Sequence, residues 1–461
     1  MTQDDLEAAA AVIVEGALAG ENLAELHGRL GVCFGRVEPF AQFRKYVTGL
    51  MSDLPRKNAW TIAEHAGDAT PFRMQRLLNR AVWDTDAAMA VVRQFAVERL
   101  TPAADGLAVA ALDETGQQKQ GVCTAGVKRQ YMGCAGRVAN GVNTVHCSYA
   151  TTGGHALIGA RIYVPVEQLD DQARRAAMGV PADVVFKTKP QLAIDITTDA
   201  ITEGVMPPWC AGDEVYGRSS ELRKHLESHQ VGYVLRVGAA FRLTVPSGQA
   251  LRADTLVARE LTGTKQGRKR WQTLAVAGSK GDRVYAWAWV ATASPNHSLL
   301  IRKHLTSGEL AYHYCHVPPG RPVTLPTLVQ VACLRWPVEE GFEFSKDHFG
   351  LDHSQARTYT ALLRHTVLAM AALAVCAVTA AQAKTRTPAP ILPTAPDEQP
   401  PEDIGLIALT VAEIKRLFNL ATRHLQPETH HLRWIWWRRH HQARAKWFHH
   451  RTRLRRQPAT T

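Results

Sequence analysis

The run Gly106–Asp113, GLAVAALD, stays apolar until it meets an acid. A strand with one face in water alternates polar and apolar residues, so an unbroken run predicts a strand buried on both faces, as in a parallel or mixed sheet covered by helices. A second short apolar run, in PPWCAGDEVYG, ends the same way at Asp213. Two such strands commit the chain to an α/β fold.

Turn residues separate GLAVAALD from VNTVHCSYAT (142–151) and HALIGARIYVP (155–165), which predicts three successive strands joined by hairpins. A polar helical stretch leads to the run ending in Asp213, then to a helix, SSELRKHLESHQ, and a strand, GYVLRV. Asp195, after the strand-like QLAI, is read as a solvated turn residue. Residues 239–325 are β-rich, and helices resume with TLPTLVQVACLRWPVEEGFEFSK. Three strands, then helix and strand, with acids at strand ends, describe a ribonuclease-H-like mixed sheet with a β-rich insertion before its last catalytic helix.

The flanks differ from this centre. Residues 1–100 read as helical, and TIAEHAGDATPFRMQRLLNRAVWD holds two short helices about a turn at Gly67-Asp68, the second capped by Thr70 with Pro71 at its first position. Arg73, Arg76 and Arg80 share one face of that second helix, the outline of a helix-turn-helix reading duplex DNA, or of an ordinary helical pair. Six prolines mark a linker over 384–404, and Thr410 and Glu413 are spaced as a capping box for the helix after it. The predicted units are therefore 1–100, a catalytic domain over 101–383, the linker, and a basic helical region over 405–461.

Charge names a partner. Lys and Arg number 54 against 42 Asp and Glu, and nine of these cations fall between His431 and Arg456 with no acid among them. Without that segment the formal charge of +12 falls by nine to +3. Arg438, Arg439 and their neighbours, interleaved with Trp434, Trp436, Trp437 and Trp447, suit phosphate contact and stacking on bases. The competing reading is a basic helix that docks its tryptophans onto its own protein. Eight scattered cysteines without a C-x-x-C pair argue against a zinc site or a disulfide framework. The acidic start MTQDDLEAAA is unlike a signal peptide, and the apolar Thr366–Ala383 reads as a buried core helix rather than a membrane span. The expected setting is the cytoplasm.

Strand ends bring distant acids together, so Asp113, Asp213 and Glu339 form the candidate catalytic set. Hard oxygen ligands suit two Mg²⁺ ions, with Mn²⁺ able to substitute, and two such ions can activate a water or a 3′-hydroxyl against a phosphodiester. Arg335, Glu339 and Lys346 follow R-x(3)-E-x(6)-K, which at 100° per residue puts them on one helix face, with Pro337 marking the first turn and Arg335 just before it. Phe342 and Phe349 are expected in the core. Glu114 and Glu214 remain alternatives to their neighbours Asp113 and Asp213.

With LDETG at Asp113, GDEVYG at Asp213 and RWPVEEGFEFSKDHFGLDHSQAR from Arg335 to Arg357, the chain resembles the bacterial insertion-sequence DDE transposases of the Y-x(2)-R-x(3)-E-x(6)-K branch. The motifs occur in that family's order, with a long insertion before the glutamate. The signature tyrosine falls at Ala332, which leaves the acidic triad intact. The resemblance implies binding to terminal inverted repeats, cleavage beside them and joining of 3′ ends to target DNA. Asp113, Asp213 and Glu339 would be metal ligands, Arg335 and Lys346 DNA contacts, and the working form a dimer in a synaptic complex. A silent DNA-binding descendant and a ribonuclease-H-like nuclease without strand transfer are the other readings.

Overall fold

The computed structural model describes residues 3–101, 106–276, 283–388, 390–393, 395, 397–401, 404–422 and 425–456. The chain opens with helices α1 (Gln3–Leu30), α2 (Val37–Met51), α3 (Ala59–His65), α4 (Phe72–Asn79) and α5 (Thr85–Arg99). Strands β1 (Ala108–Gln118), β2 (Lys128–Met132), β3 (Arg137–Thr151) and β4 (His155–Ile162) follow, then α6 (Val166–Leu169), α7 (Gln172–Ala177) and α8 (Lys189–Thr202). The central sheet is completed across β5 (Trp209–Gly212), α9 (Glu214–Gly217), α10 (Ser220–Ser228) and β6 (Gly232–Val237). The insertion carries β7 (Arg242–Thr244), β8 (Ala250–Arg252), α11 (Ala253–Val257), α12 (Lys265–Arg268), β9 (Gln272–Val276), β10 (Arg283–Ala291), β11 (His297–His304) and β12 (Leu310–His316). Helices α13 (Leu325–Cys333), α14 (Pro337–Asp347), α15 (Tyr359–Arg386), α16 (Val411–Thr422) and α17 (Glu428–Arg456) close the chain.

In the sheet, β1 lies antiparallel to β3 and parallel to β5, and β5 is parallel to β6. β4 pairs with the far side of β3. Antiparallel strands continued by parallel ones that helical crossovers reach is the ribonuclease-H-like order, as the apolar runs require. The insertion extends this sheet: β12 pairs with β6, and β11, β10 and β9 follow outward.

Two expectations are corrected. Asp113 lies inside β1 rather than at its end, because β1 continues to Gln118 against β3 after its pairing with β5 stops at Leu112. Residues 109–112 have strands on both sides, and the apolar run stops where that double pairing stops. QLAI is helical: a capping box between Thr188 and Gln191 and Pro190 in the first turn start α8, and Asp195 pairs with Lys187 at 2.6 Å.

α15 is the spine. Its window is long and apolar enough to cross a membrane, and all of it is buried inside the protein, as expected of a core helix. It packs against α1, α2, α4, α5, α16 and β4, so one hydrophobic core joins the N-terminal helices to the sheet. Buried Arg364 of α15 donates to the carbonyls of Leu77, Leu78 and Trp83, which fixes the C-terminal end of α4.

Candidate active site

β1, the end of β5 and the start of α14 converge on one guanidinium. Arg335 donates through Nη1 to Asp113 Oδ2 at 2.9 Å and through Nη2 to Glu339 Oε1 at 2.7 Å. Pro337 opens α14, so Arg335 stands just before the helix while Glu339 sits in its first turn. Phe342 and Phe349 are buried, and Phe342 meets His146 of β3 at 5.4 Å between ring centroids, so this face of the segment lies on the sheet. Asp213 caps α9, accepting from Val215 N at 2.8 Å. That short helix lies tight on β6, because a Cβ on Gly217 would collide with the Arg236 carbonyl.

Burial dominates the electrostatics. It pushes the Asp113 carboxyl up to about 7, with Arg335 pulling down and Asp213 pushing up. Asp213 is raised by burial and by the charge of Glu114. Burial opposes the charge of Arg335, but Asp113, Glu339 and Asp213 together raise its pKa. Crowded, half-desolvated carboxylates of this kind favour a cation among them. All three acids offer oxygen only, a donor set that suits a hard divalent ion. Among the described residues no three His, Cys, Asp or Glu side chains are gathered as a metal set, and the cation at this point of the fold is Arg335 itself.

The neighbouring acids are engaged elsewhere. Glu114, on the opposite face of β1 from Asp113, accepts from Lys189 at 2.6 Å and from the Tyr216 hydroxyl at 3.0 Å. Glu214 pairs with Arg218 at 2.9 Å. Nothing in the sequence pattern pointed to the Lys189–Glu114–Tyr216 chain, since its members lie on three separate elements. Lys346 is half-buried in the last turn of α14. Its charge, after burial, holds the His146 imidazole down to about 3, and His146 stands opposite Asp113 on β3.

The sequence-derived DNA contacts fall at a second place. α4 begins at Phe72, one residue later than expected, after a turn in which Gly67 takes φ +77°. Arg73 and Arg76 are exposed on it, while Arg80, also exposed, stands at its C-cap with non-helical backbone and so does not continue the expected helix face. The first half of the tail docks onto its own protein. Trp434 is buried and donates to the Asp68 carbonyl at 2.8 Å, Trp437 meets Trp60 and Phe72, and Arg438 pairs with Glu64. Beyond that docking, Arg439 and the cations from Arg444 to Arg455 are exposed.

A family profile described as DDE superfamily endonuclease matches residues 29–296, more than half of the chain, and the protein belongs to that family. Asp113 and Asp213 lie within the match, while Arg335, Glu339 and Lys346 lie beyond it. A probable transposase for insertion sequence element IS701 from Microchaete diplosiphon is 27% identical over 189 residues, 41% of this chain and 46% of that one. The chain thus spans about half the length of that curated relative. A piggyBac transposase synaptic complex with hairpin DNA is similar at 10% identity and a TM-score of 0.39, covering 91% of this chain and 80% of that one. The resemblance to insertion-sequence DDE transposases is borne out at the level of the family.

Proposed function

We propose that the protein is a DNA transposase that binds the terminal inverted repeats of its element, cleaves the phosphodiester at each end and transfers the 3′ ends to target DNA. The observation that supports this reading is Arg335 bridging Asp113 of β1 and Glu339 of α14, with the charge of Asp213 near enough to act on the same guanidinium. Endonucleases of this superfamily generally use divalent metal ions, and here Asp113, Asp213 and Glu339 would hold two Mg²⁺, with Mn²⁺ as a substitute. A metal held there would supply Lewis acidity and lower the pKa of an oxygen nucleophile.

The chain's own residues do the rest. Asp113 and Asp213 present charge from a rigid sheet, so little reorganisation accompanies the reaction. Arg335 turns its fork from the carboxylates to a phosphate of the scissile strand, and Lys346 adds a point charge on the same helix. Arg73, Arg76, Arg80 and Arg439 contact the DNA end away from the site, and Arg438 joins them by exchanging Glu64 for a phosphate. The division at 100, 383 and 404 into end-binding, catalytic, linker and basic regions goes with this reading. So do a dimer in the synaptic complex and a cytoplasmic, nucleoid-associated setting.

The test is Mg²⁺-dependent cleavage of a linear duplex carrying the gene's flanking ends, beside Glu339→Gln. Nicking at the end that the variant loses is expected. Specific binding without cleavage in Mg²⁺ or Mn²⁺ would leave a silent DNA-binding descendant, and cleavage without joining would leave a nuclease.

A further inference from the structure

A cleft of about 710 Å³ separates α3 and α4 from the loop that follows α14. Trp60 and Phe72 stand on one wall with Arg76 and Arg80, and Ser354, Gln355 and Ala356 form the other. Phe72 is 57% exposed, which is unusual for a phenylalanine beside a buried helix face. Its ring and that of Trp60 are braced from behind by Trp437 of α17, at 5.9 and 4.8 Å between centroids, and His441 stacks on Trp437 at 5.0 Å. The wall is thus rigid, aromatic and cationic at its rim.

The far wall leads to the catalytic sheet. Lys119 donates to the Ser354 carbonyl at 2.7 Å, and Gln117 donates to the Asp352 carbonyl. Both lie on or just past β1, the strand that carries Asp113. Six residues of strand separate Lys119 from Asp113, ~20 Å at about 3.3 Å per residue. That span equals roughly six nucleotides of one DNA strand at about 3.4 Å each. Exposed Arg56 lies close enough to Lys119 for their charges to act on each other.

Size and chemistry select the occupant. The cleft accommodates one or two planar groups, whereas a duplex has a major groove alone about 12 Å wide. Aromatic faces with arginines beside them are the common means of holding unpaired bases and their phosphates, with little dependence on sequence. We propose that this cleft binds single-stranded DNA, seating one or two unpaired nucleotides of an end against Trp60 and Phe72 while Arg76 and Arg80 hold their phosphates. The proposal deepens the end-binding reading above and rests on it.

The experiment is fluorescence anisotropy with the full-length protein and three DNAs: the blunt duplex of the gene's flanking end, and that duplex with a six-thymidine extension on its 3′ or on its 5′ strand. An extension of one polarity should tighten binding about ten-fold, the low end of what stacked bases contribute. Phe72→Ala and Trp60→Ala should each remove most of that gain and leave blunt-duplex affinity within about two-fold. Phe72 is exposed enough that its truncation spares the fold, which covers the case in which Trp60→Ala misfolds. Equal affinity for all three DNAs overturns the cleft as a single-strand site while leaving the end-binding reading intact. A gain that survives in Phe72→Ala and in folded Trp60→Ala overturns it too, because the extension then binds elsewhere. Failure of the wild-type protein to bind any of the three removes the end-binding reading and the cleft with it.

Discussion

Two neighbouring acids, Asp113 and Glu114, have opposite fates because a strand sends successive side chains to opposite faces. Asp113 faces α14 and meets Arg335, while Glu114 is held by Lys189 and Tyr216. Which of the two faces meets α14 was open in the sequence, since alternation gives the faces but not the helix that covers each. Asp113→Asn, Asp213→Asn and Glu339→Gln should each lower end cleavage by about 10²–10³-fold, the loss expected when several kcal/mol of transition-state charge stabilisation disappears. End binding should change little, and a gel-shift assay beside the cleavage assay separates the two; equal loss of binding in all three would refute their roles. Arg335 gives a second prediction. Its guanidinium occupies Asp113 and Glu339 and so competes with any dication for them. Arg335→Gln should therefore show a larger rise in Tm on adding Mn²⁺ than the wild type, because binding to the folded state alone stabilises it. A smaller rise, read by differential scanning calorimetry, would mean that Arg335 assists metal binding.

At the level of elements, α17 combines an anchor with a free arm. Trp434 fills a closed site under Asp68, and its truncation to alanine should cost about 3–5 kcal/mol of docking and packing together. The consequence to measure is faster proteolytic release of the helix from Trp434→Ala, against unchanged cleavage of the sheet domain. Deleting everything after Gln426 removes the exposed cations as well, so the slope of log K against log salt should flatten by about 0.9 for each phosphate that the shortened chain no longer neutralises. An unchanged slope would assign those charges another task. The sequence made the basic, tryptophan-rich helix plain but left its two roles competing; its first half docks on the protein, and the cations of its second half stand exposed. Local signals were read well where they were local, as with the Thr410–Glu413 capping box, whose Thr410 N donates to Glu413 at 2.7 Å. β2 was missed because KRQYM has no apolar face to read, being paired only to β3 at the sheet's edge. QLAI misled because four apolar or amide-bearing residues fit a strand as well as a helix, and the decisive cap lies just before them.

Among the described residues the largest buried cluster has α15 through its middle, smaller ones lie under α13 and the insertion, and this was the least legible level. Composition fixed α15 as a buried helix, but its packing against α1 and α5 joins residues hundreds of positions apart. The pairing of β12 with β6, which makes the insertion a continuation of the sheet, is likewise invisible in a strand-by-strand reading. One property follows from the core as a whole. His365 of α15 is fully buried between the Tyr46 hydroxyl and the Gly350 carbonyl, and burial holds its imidazole down to about 4. His27 of α1 is held down to about 4 as well, by burial and then by the charge of Arg44. Each has a folded pKa below its unfolded value near 6.5, so between those values the unfolded chain binds more protons. Their contribution to stability is therefore complete above pH 6.5 and is lost as pH falls towards 4, by at most about 1.4 kcal/mol per pH unit for each histidine. Asp113 acts in the opposite direction, because its raised carboxyl keeps a proton in the folded state that the unfolded chain releases. Urea denaturation at pH 7.5, 6 and 5 should show the net fall, and His27→Gln should make it shallower. A midpoint that does not move between pH 7.5 and 5 would mean that water or a local opening reaches both imidazoles before the core unfolds.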